Sequence, residues 1–187
     1  MVRAALLLAF PTLLACQTTQ LVSVWSDPAA RAVDLDKVLV VARTGDAATE
    51  RTAEERLART LPVEHAVAAH QLFSDAELAN PAALHARLVQ EGFDGVVVMR
   101  VVAVESVPQH APTWTGISDF LGAYIHPTAP FDMEEHVSVE TTVFSLPDDK
   151  LVWAGLTRSV DPRSLEDAAQ GIARTVGRDL RRRGMLH

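Results

Sequence analysis

The chain has 187 residues, of which 48% are hydrophobic and 22% are charged, enough for one domain with a core and too few for two. This composition excludes a collagen-like, low-complexity or wholly disordered chain. The single cysteine excludes a disulfide framework and a cysteine-rich metal cluster. The formal net charge of −7 argues against a nucleic-acid partner, because such binding depends on neutralising phosphates.

The first 15 residues have the pattern of a secretory signal peptide. Arg3 supplies a positive start, and residues 4–15 are almost entirely apolar. Twelve helical residues span about 18 Å, which is too short for the ~30 Å hydrocarbon core of a bilayer. The segment 1–15 is therefore predicted to be a signal peptide that is removed from the mature protein.

The sequence Leu13-Leu14-Ala15-Cys16 resembles the lipobox of bacterial lipoproteins. The resemblance implies that Cys16 becomes the first residue and carries a diacylglyceryl group on sulfur and an acyl chain, such as palmitate, on nitrogen. Gln17 stands where Asp would imply retention at the inner membrane, so the family rule implies an outer-membrane protein that faces the periplasm. The alternative is a secreted protein in which Cys16 has no lipid.

Three segments are expected in the mature chain. Residues 16–36 are weakly patterned and are predicted to be a lipidated tether and lead-in, from which Val22, Val24 and Trp25 dock onto the domain. Residues 37–187 are predicted to form a single α/β domain, interrupted by a long irregular loop at about 106–135.

Hydrophobic periodicity and capping residues predict an α/β (α+β) fold with one mixed sheet of about five strands, in the order βαβαβββα, and helices packed against it. The first three strands are expected to be parallel. The run 94–105 is nearly continuously apolar and is expected to be a central strand covered on both faces. Leu165, Ala169, Ile172, Val176 and Leu180 are expected to form the core stripe of the last helix. The predicted strands are 37–43, 63–68, 94–105, 136–146 and 151–160; the predicted helices begin at the N-caps Asp46, Asn80 and Ser164, with a short helical turn after Ser74.

The loop at about 106–135 is the strongest candidate for a functional surface. It contains four of the ten aromatic residues of the chain, and a connection of this length inside a domain is often functional. Exposed aromatic residues anchor protein interfaces, so this loop is a candidate partner-binding segment. The alternative is a self-packed lid over the sheet. The aromatic residues are Trp114, Phe120, Tyr124 and Phe131.

Motifs for catalysis are mostly absent from the sequence, which has no phosphate loop, Gly-x-Gly-x-x-Gly or His-Glu-x-x-His. Ser118 lies in a run that only partly matches a nucleophile elbow. His110, His126 and His136 flank or lie in the loop, but their spacing matches no zinc pattern. We therefore expect no catalytic residue, no metal and no cofactor. The alternative is a metal-dependent or serine hydrolase of the periplasm that uses residues of the loop 106–136.

Two groups of charges have no assigned role. Adjacent carboxylates such as Glu54 and Glu55 are expected to be solvated, because neighbouring residues on a helix point in different directions. One face of the last helix carries several arginines, which either complement the helix C-terminus or contact lipid head groups or an anionic envelope polymer. These arginines are Arg174, Arg178, Arg181 and Arg182.

Short stretches at 24–28, 37–41, 92–98 and 150–154 are similar to a broad group of uncharacterised proteobacterial outer-membrane lipoproteins. The element order also resembles the amino-terminal domain of TolB and the lipoprotein activators of cell-wall synthases. Together with the lipobox, the absence of a convergent catalytic motif favours a non-enzymatic lipoprotein that binds or supports another envelope component, a protein or a polymer, through the sheet edge, the loop or both. The expected partners are thus the membrane, through the lipid anchor, and an envelope component, with no nucleic acid and no small-molecule cofactor.

Overall fold

Six strands form one open sheet in the computed structural model, which describes residues 19–28, 33, 35–108 and 133–186. The strand order across the sheet is β1-β6-β5-β4-β2-β3. Strand β2 pairs in parallel with β3 and with β4, and the other neighbours are antiparallel. The strands are β1 (Thr19–Ser26), β2 (Lys37–Arg43), β3 (His65–Ala68), β4 (Gly95–Pro108), β5 (Met133–Ser145) and β6 (Lys150–Val160).

The described helices begin where the capping residues predict. They are α1 (Ala47–Thr60), α2 (Asp75–Leu78), α3 (Pro81–Gln90) and α4 (Leu165–Arg182). The Asp46 carboxylate accepts a hydrogen bond from the Thr49 backbone N–H at 2.8 Å, and Ser74 forms a reciprocal capping box with Glu77. Gly184, with a φ of 73°, follows α4 in the left-handed conformation that ends many helices. The predicted α/β class is confirmed. The strand pairing also confirms that the first three predicted strands are parallel and that β5 and β6 form the C-terminal hairpin.

Helices α1 and α4 cover one face of the sheet, which we call the inner face. Its core includes Leu57 of α1, Ile172 and Val176 of α4, and Trp153 of β6, each at most 2% exposed. This layer contains most of the buried apolar side chains among the described residues, so it is the main source of hydrophobic stabilisation.

The opposite, outer face is covered over only part of its area. A 3₁₀ turn (Ala69–Gln71), α2 and α3 pack over β2 and the first residues of β4. The cluster below them includes Leu39, Phe73, Leu88 and Phe93. Beyond Val98, where β4 continues toward Pro108, no described helix packs on this face.

Strand β1 is the main difference from the sequence-based expectation, since the sheet has six strands rather than about five. Thr19–Ser26 had been read as lead-in, but it pairs antiparallel with β6 along its length, apart from one register shift. The sequence of β1 resembles a loop because β1 is an edge strand. It pairs with a neighbour on one side only, and most of its side chains are exposed.

Two hydrogen-bonded contacts hold β1 at its ends. The hydroxyls of Thr19 and Ser159 lie 2.7 Å apart in a buried contact, beside Gly171 of α4. At the other end, the guanidinium of Arg183 donates to the Ser26 hydroxyl at 2.8 Å. Strand β1 therefore packs on both β6 and α4 and belongs to the folded domain.

Two further expectations were wrong. Leu165 is 54% exposed and lies outside the core stripe that Ala169, Ile172, Val176 and Leu180 form as predicted. Strand β4 is not covered on both faces, because its C-terminal half exposes 44% of Val102 and 60% of Val104 among the described residues. Its apolar run extends past the end of the outer helices, so hydrophobic content alone did not predict burial.

Candidate functional site: the outer face of the sheet

The part of the outer face that none of the described helices covers forms a shallow hollow of about 460 Å³. We call it the outer-face hollow, and its principal lining residues are Trp25, Arg100, Val102, Glu140, Ala154 and Leu156. They come from β1, β4, β5 and β6, so the site is assembled from segments that are far apart in the sequence.

The strand register explains why these side chains share one face. Ser23 of β1 lies opposite Leu156 of β6, Leu156 lies opposite Glu140 of β5, and Glu140 lies opposite Arg100 of β4. Because side chains alternate between the faces of a sheet, Trp25, two residues after Ser23, points to the same face. The hollow is therefore a row of cross-strand neighbours on four adjacent strands.

The floor of the hollow is largely apolar. Trp25 is 50% exposed and lies opposite Ala154 of β6, whereas Val102, which is 44% exposed, lies across β5 on strand β4. The register of β4 against β5 shifts between Val101 and Ala103, so Val102 is the extra residue of a bulge. Bulges often re-aim a side chain, and Val102, near the middle of β4, is left partly exposed on the outer face.

Two arginines give the outer face its polar character. Arg100 donates to Glu140 at 2.6 Å, but both side chains are well exposed, so this ion pair contributes at most about 1 kcal/mol. Arg158, two residues beyond Leu156, is only partly exposed, and its buried Nε has no hydrogen-bond partner. A buried donor without a partner costs about 1–3 kcal/mol, so an acceptor brought by another molecule would be stabilising here.

A second recess, of about 280 Å³, lies between α1 and the 3₁₀ turn, and its carboxylates serve the fold. Glu54 was expected to be solvated, but it is 4% exposed, which corrects that expectation. Its carboxylate accepts hydrogen bonds from the backbone N–H groups of Ala42 and His70 and contacts the His70 Nδ1 at 2.8 Å. Glu54 thereby ties α1 to the end of β2 and to the 3₁₀ turn.

Glu50, on the rim of the same recess, is held in its charged form. Burial acts to raise its pKa, but the N–H groups of Thr44 and Gly45 and the charge of Arg43 together lower it. These are the N–H groups that precede α1, and they are already bonded to a carboxylate of the chain. The recess therefore has little capacity for an added anion.

Most of the site residues predicted from sequence lie outside the described residues. His136 is described, and its Nε2 lies 3.3 Å from a carboxylate oxygen of Glu134. Within the described ranges, no three His, Cys, Asp or Glu side chains are grouped so that they could hold a metal ion. The described helices also include none that is both long and apolar enough to cross a membrane. The predicted residues outside these ranges are Cys16, His110, Trp114, Ser118, Phe120, Tyr124, His126 and Phe131.

Sequence reasoning missed the outer-face hollow because its members are distant in sequence. Val22, Val24 and Trp25 are expected to dock onto the domain, and they do lie in β1, which pairs with β6, but their side chains stay at least 40% exposed. One signal in the sequence could have indicated the hollow. The apolar run of β4 is longer than the stretch of strand that the short helix α3 can cover.

Comparisons with known proteins support the fold and leave the family open. No protein-family model matches the chain, and no curated protein matches it significantly. The structure is similar to that of the PelC dodecamer from Paraburkholderia phytofirmans, with a TM-score of 0.52 and 16% identity over 90% of this chain and 99% of that one.

Two further structures are more distant. A variant of the same PelC protein has a TM-score of 0.48 and 15% identity, covering 85% of this chain and 94% of that one. Lipoprotein GNA1162 from Neisseria meningitidis has a TM-score of 0.41 and 16% identity, covering 79% of this chain and 99% of that one. At these identities the shared property is a mixed α/β fold.

Proposed function

We propose that this protein is a non-enzymatic lipoprotein of the outer membrane, anchored through Cys16 and facing the periplasm, that binds another envelope component. The single observation that carries the binding role is the outer-face hollow, an apolar area on four strands that no described helix covers. Exposed apolar patches rimmed by polar groups are typical of interaction surfaces.

The proposed anchor lies close to the folded domain. Only Gln17 and Thr18 separate Cys16 from the first residue of β1. Three peptide units extend at most about 11 Å, so a lipidated Cys16 would hold the end of β1 near the bilayer surface. The anchor would therefore restrict where the outer-face hollow can meet a partner, which suits a protein that binds other envelope components.

The aromatic loop is part of the same proposal. Its flanking residues, Pro108 and Met133, pair with each other at the end of the sheet where β1 begins. We expect Trp114 and Tyr124 to contribute to partner binding, and replacing both with alanine should reduce partner capture while the fold remains intact.

Photo-crosslinking in cells tests the binding role directly. A photoreactive residue at position 25, in place of Trp25, should crosslink to a discrete envelope component. Val102→Glu should abolish that crosslink, because it places a charge in the apolar hollow without disturbing the core. Val89→Glu on α3 is the matched control, since Val89 is 53% exposed and lies away from the hollow.

The outcome separates the proposal from its alternatives. Loss of the crosslink in Val102→Glu and its retention in Val89→Glu would support the outer face as the binding surface. Equal crosslinking in both variants, or crosslinks only between copies of this chain, would contradict it. The anchor is tested separately, because Cys16→Ser should release the protein from the membrane fraction and remove the acyl mass.

A further inference from the structure

Three consecutive arginines lie together at the end of α4, where the chain leaves the helix. Arg181 and Arg182 are exposed, and Arg183 is partly exposed. With Ser26, Asp27 and Pro28 they line an open recess of about 860 Å³. We call Arg181, Arg182 and Arg183 the distal arginine cluster.

The cluster keeps free hydrogen-bonding capacity. Arg183 donates from Nε to Asp179 at 2.6 Å and from one terminal nitrogen to Ser26. Arg182 donates to the same carboxylate at 3.2 Å, although its side chain is 68% exposed. Each guanidinium has five N–H donors, and the acceptors found among the described residues use only a few of them, so the cluster has donors for another acceptor.

The described residues in and beside the recess have a positive charge balance, although the protein as a whole is acidic. Lys150 pairs with Asp27 at 3.1 Å on one side, and Asp179 receives the two arginines on the other. Among the described residues, four cationic side chains, Lys150 and the cluster, are thus set against two carboxylates, Asp27 and Asp179. Such a surface favours anions, and guanidinium groups match the planar geometry of carboxylates.

Strand β1 separates this recess from the proposed anchor. Thr19 lies at the anchor end of β1, and Ser26, which touches Arg183, lies at the other. Seven residue steps along a strand cover about 23 Å. The end of the sheet where β1 begins exposes the acidic residues Glu105, Glu135 and Asp161. Their negative charge disfavours binding of an anionic polymer at that end.

We propose that the distal arginine cluster binds the free carboxylates of the peptidoglycan, the polymer that lies beyond the lipid surface on the periplasmic side. This inference rests on the proposed lipid anchor, because the anchor at Cys16 directs the opposite end of β1 away from the outer membrane. The site is separate from the outer-face hollow, so it gives the protein a second, polymeric partner.

Cosedimentation with purified sacculi tests the proposal on the full chain, isolated from membranes in detergent. The wild-type protein should pellet with sacculi, less so at high salt, and should not pellet with sacculi whose carboxylates have been amidated. Arg181→Glu combined with Arg182→Glu should weaken pelleting about tenfold or more, because charge-assisted bonds are replaced by like-charge repulsion. The matched control is Arg51→Glu combined with Arg163→Glu, which changes the net charge equally at two exposed arginines elsewhere.

The proposal is overturned if the wild type does not pellet with sacculi or binds amidated sacculi fully. It is also overturned if the Arg181 and Arg182 variant pellets like the wild type, or if the control variant loses pelleting equally. Stronger binding to vesicles of anionic phospholipid than to sacculi would also overturn it, in favour of a lipid surface. Mass spectrometry of the same preparation reports acylation of Cys16, so a missing anchor is recognised independently of carboxylate binding.

Discussion

Replacing Gly155 with alanine tests how α4 and the hairpin are joined. A Cβ at position 155 would lie 2.3 Å and 2.7 Å from two ring carbons of Trp153, whose side chain is fully buried. The indole N–H donates to Asp179 of α4 at 3.0 Å, so the ring cannot move without losing that bond. Gly155 is therefore required for the indole to lie against the strand.

The expected destabilisation by Gly155→Ala follows from these contacts. Overpacking a core costs about 1–3 kcal/mol, and weakening a bond to a charged carboxylate costs about 1.5–3 kcal/mol. The alanine itself recovers about 0.5–1 kcal/mol in a strand. We expect a net loss of about 1.5–5.5 kcal/mol in the free energy of unfolding, which lowers Tm by at least about 3 °C for a domain of this size.

Urea unfolding followed by circular dichroism measures this loss, and a double-mutant cycle identifies its cause. Trp153→Phe removes the ring atoms that the new Cβ would meet, so Gly155→Ala should cost less than about 1 kcal/mol in that background. Wild-type stability of Gly155→Ala, or the same cost in both backgrounds, would refute the steric explanation.

Three further predictions concern Asp179, Glu54 and the metal content of the protein. Burial acts to raise the pKa of Asp179, but hydrogen bonds with Arg183 and Trp153 and the nearby arginine charges lower it below 3.8. The charged carboxylate therefore contributes stability above pH 3.8, and this contribution is lost as the pH falls through the lowered pKa. The difference in unfolding free energy between wild type and Asp179→Asn should therefore shrink in acid titrations below that pH. Glu54→Gln should cost about 1–3 kcal/mol in urea unfolding because its amide N–H₂ faces N–H donors, whereas Glu55→Gln next to it should cost under about 0.5 kcal/mol. Elemental analysis of the purified chain should find no stoichiometric zinc, and one equivalent would favour the hydrolase alternative.

Local signals in the sequence were sufficient for most helices and strands. Asp46, Ser74, Asn80 and Ser164 each cap a helix through their own side chains, so nearby residues determine these boundaries. The alternation of apolar residues in the hairpin likewise reflects one covered face.

Non-local contacts account for what could not be predicted. Glu54 is buried because backbone N–H groups of β2 and of the 3₁₀ turn reach its carboxylate, and nothing near it in sequence indicates those donors. Strand β1 joins the sheet through β6, 140 residues away at the Thr19–Ser159 contact. The outer-face hollow also depends on structure that is not local in sequence. It requires β1 to lie beside β6, and it requires the outer helices to be short.

The limited length of the outer helices explains why the described residues leave part of the sheet without a helix layer. Strand β4 has 14 residues, about 46 Å of strand, whereas α3 has 10 residues and is about 15 Å long. Together with the four-residue α2, it covers the sheet only where β4 begins. On the inner face, α4 alone has 18 residues and reaches from Thr19 to Ser26 along β1. Among the described residues, helices cover the inner face of these strands but leave Trp25 and Val102 exposed on the outer face. A partner that packed on the outer face would therefore complete the second layer.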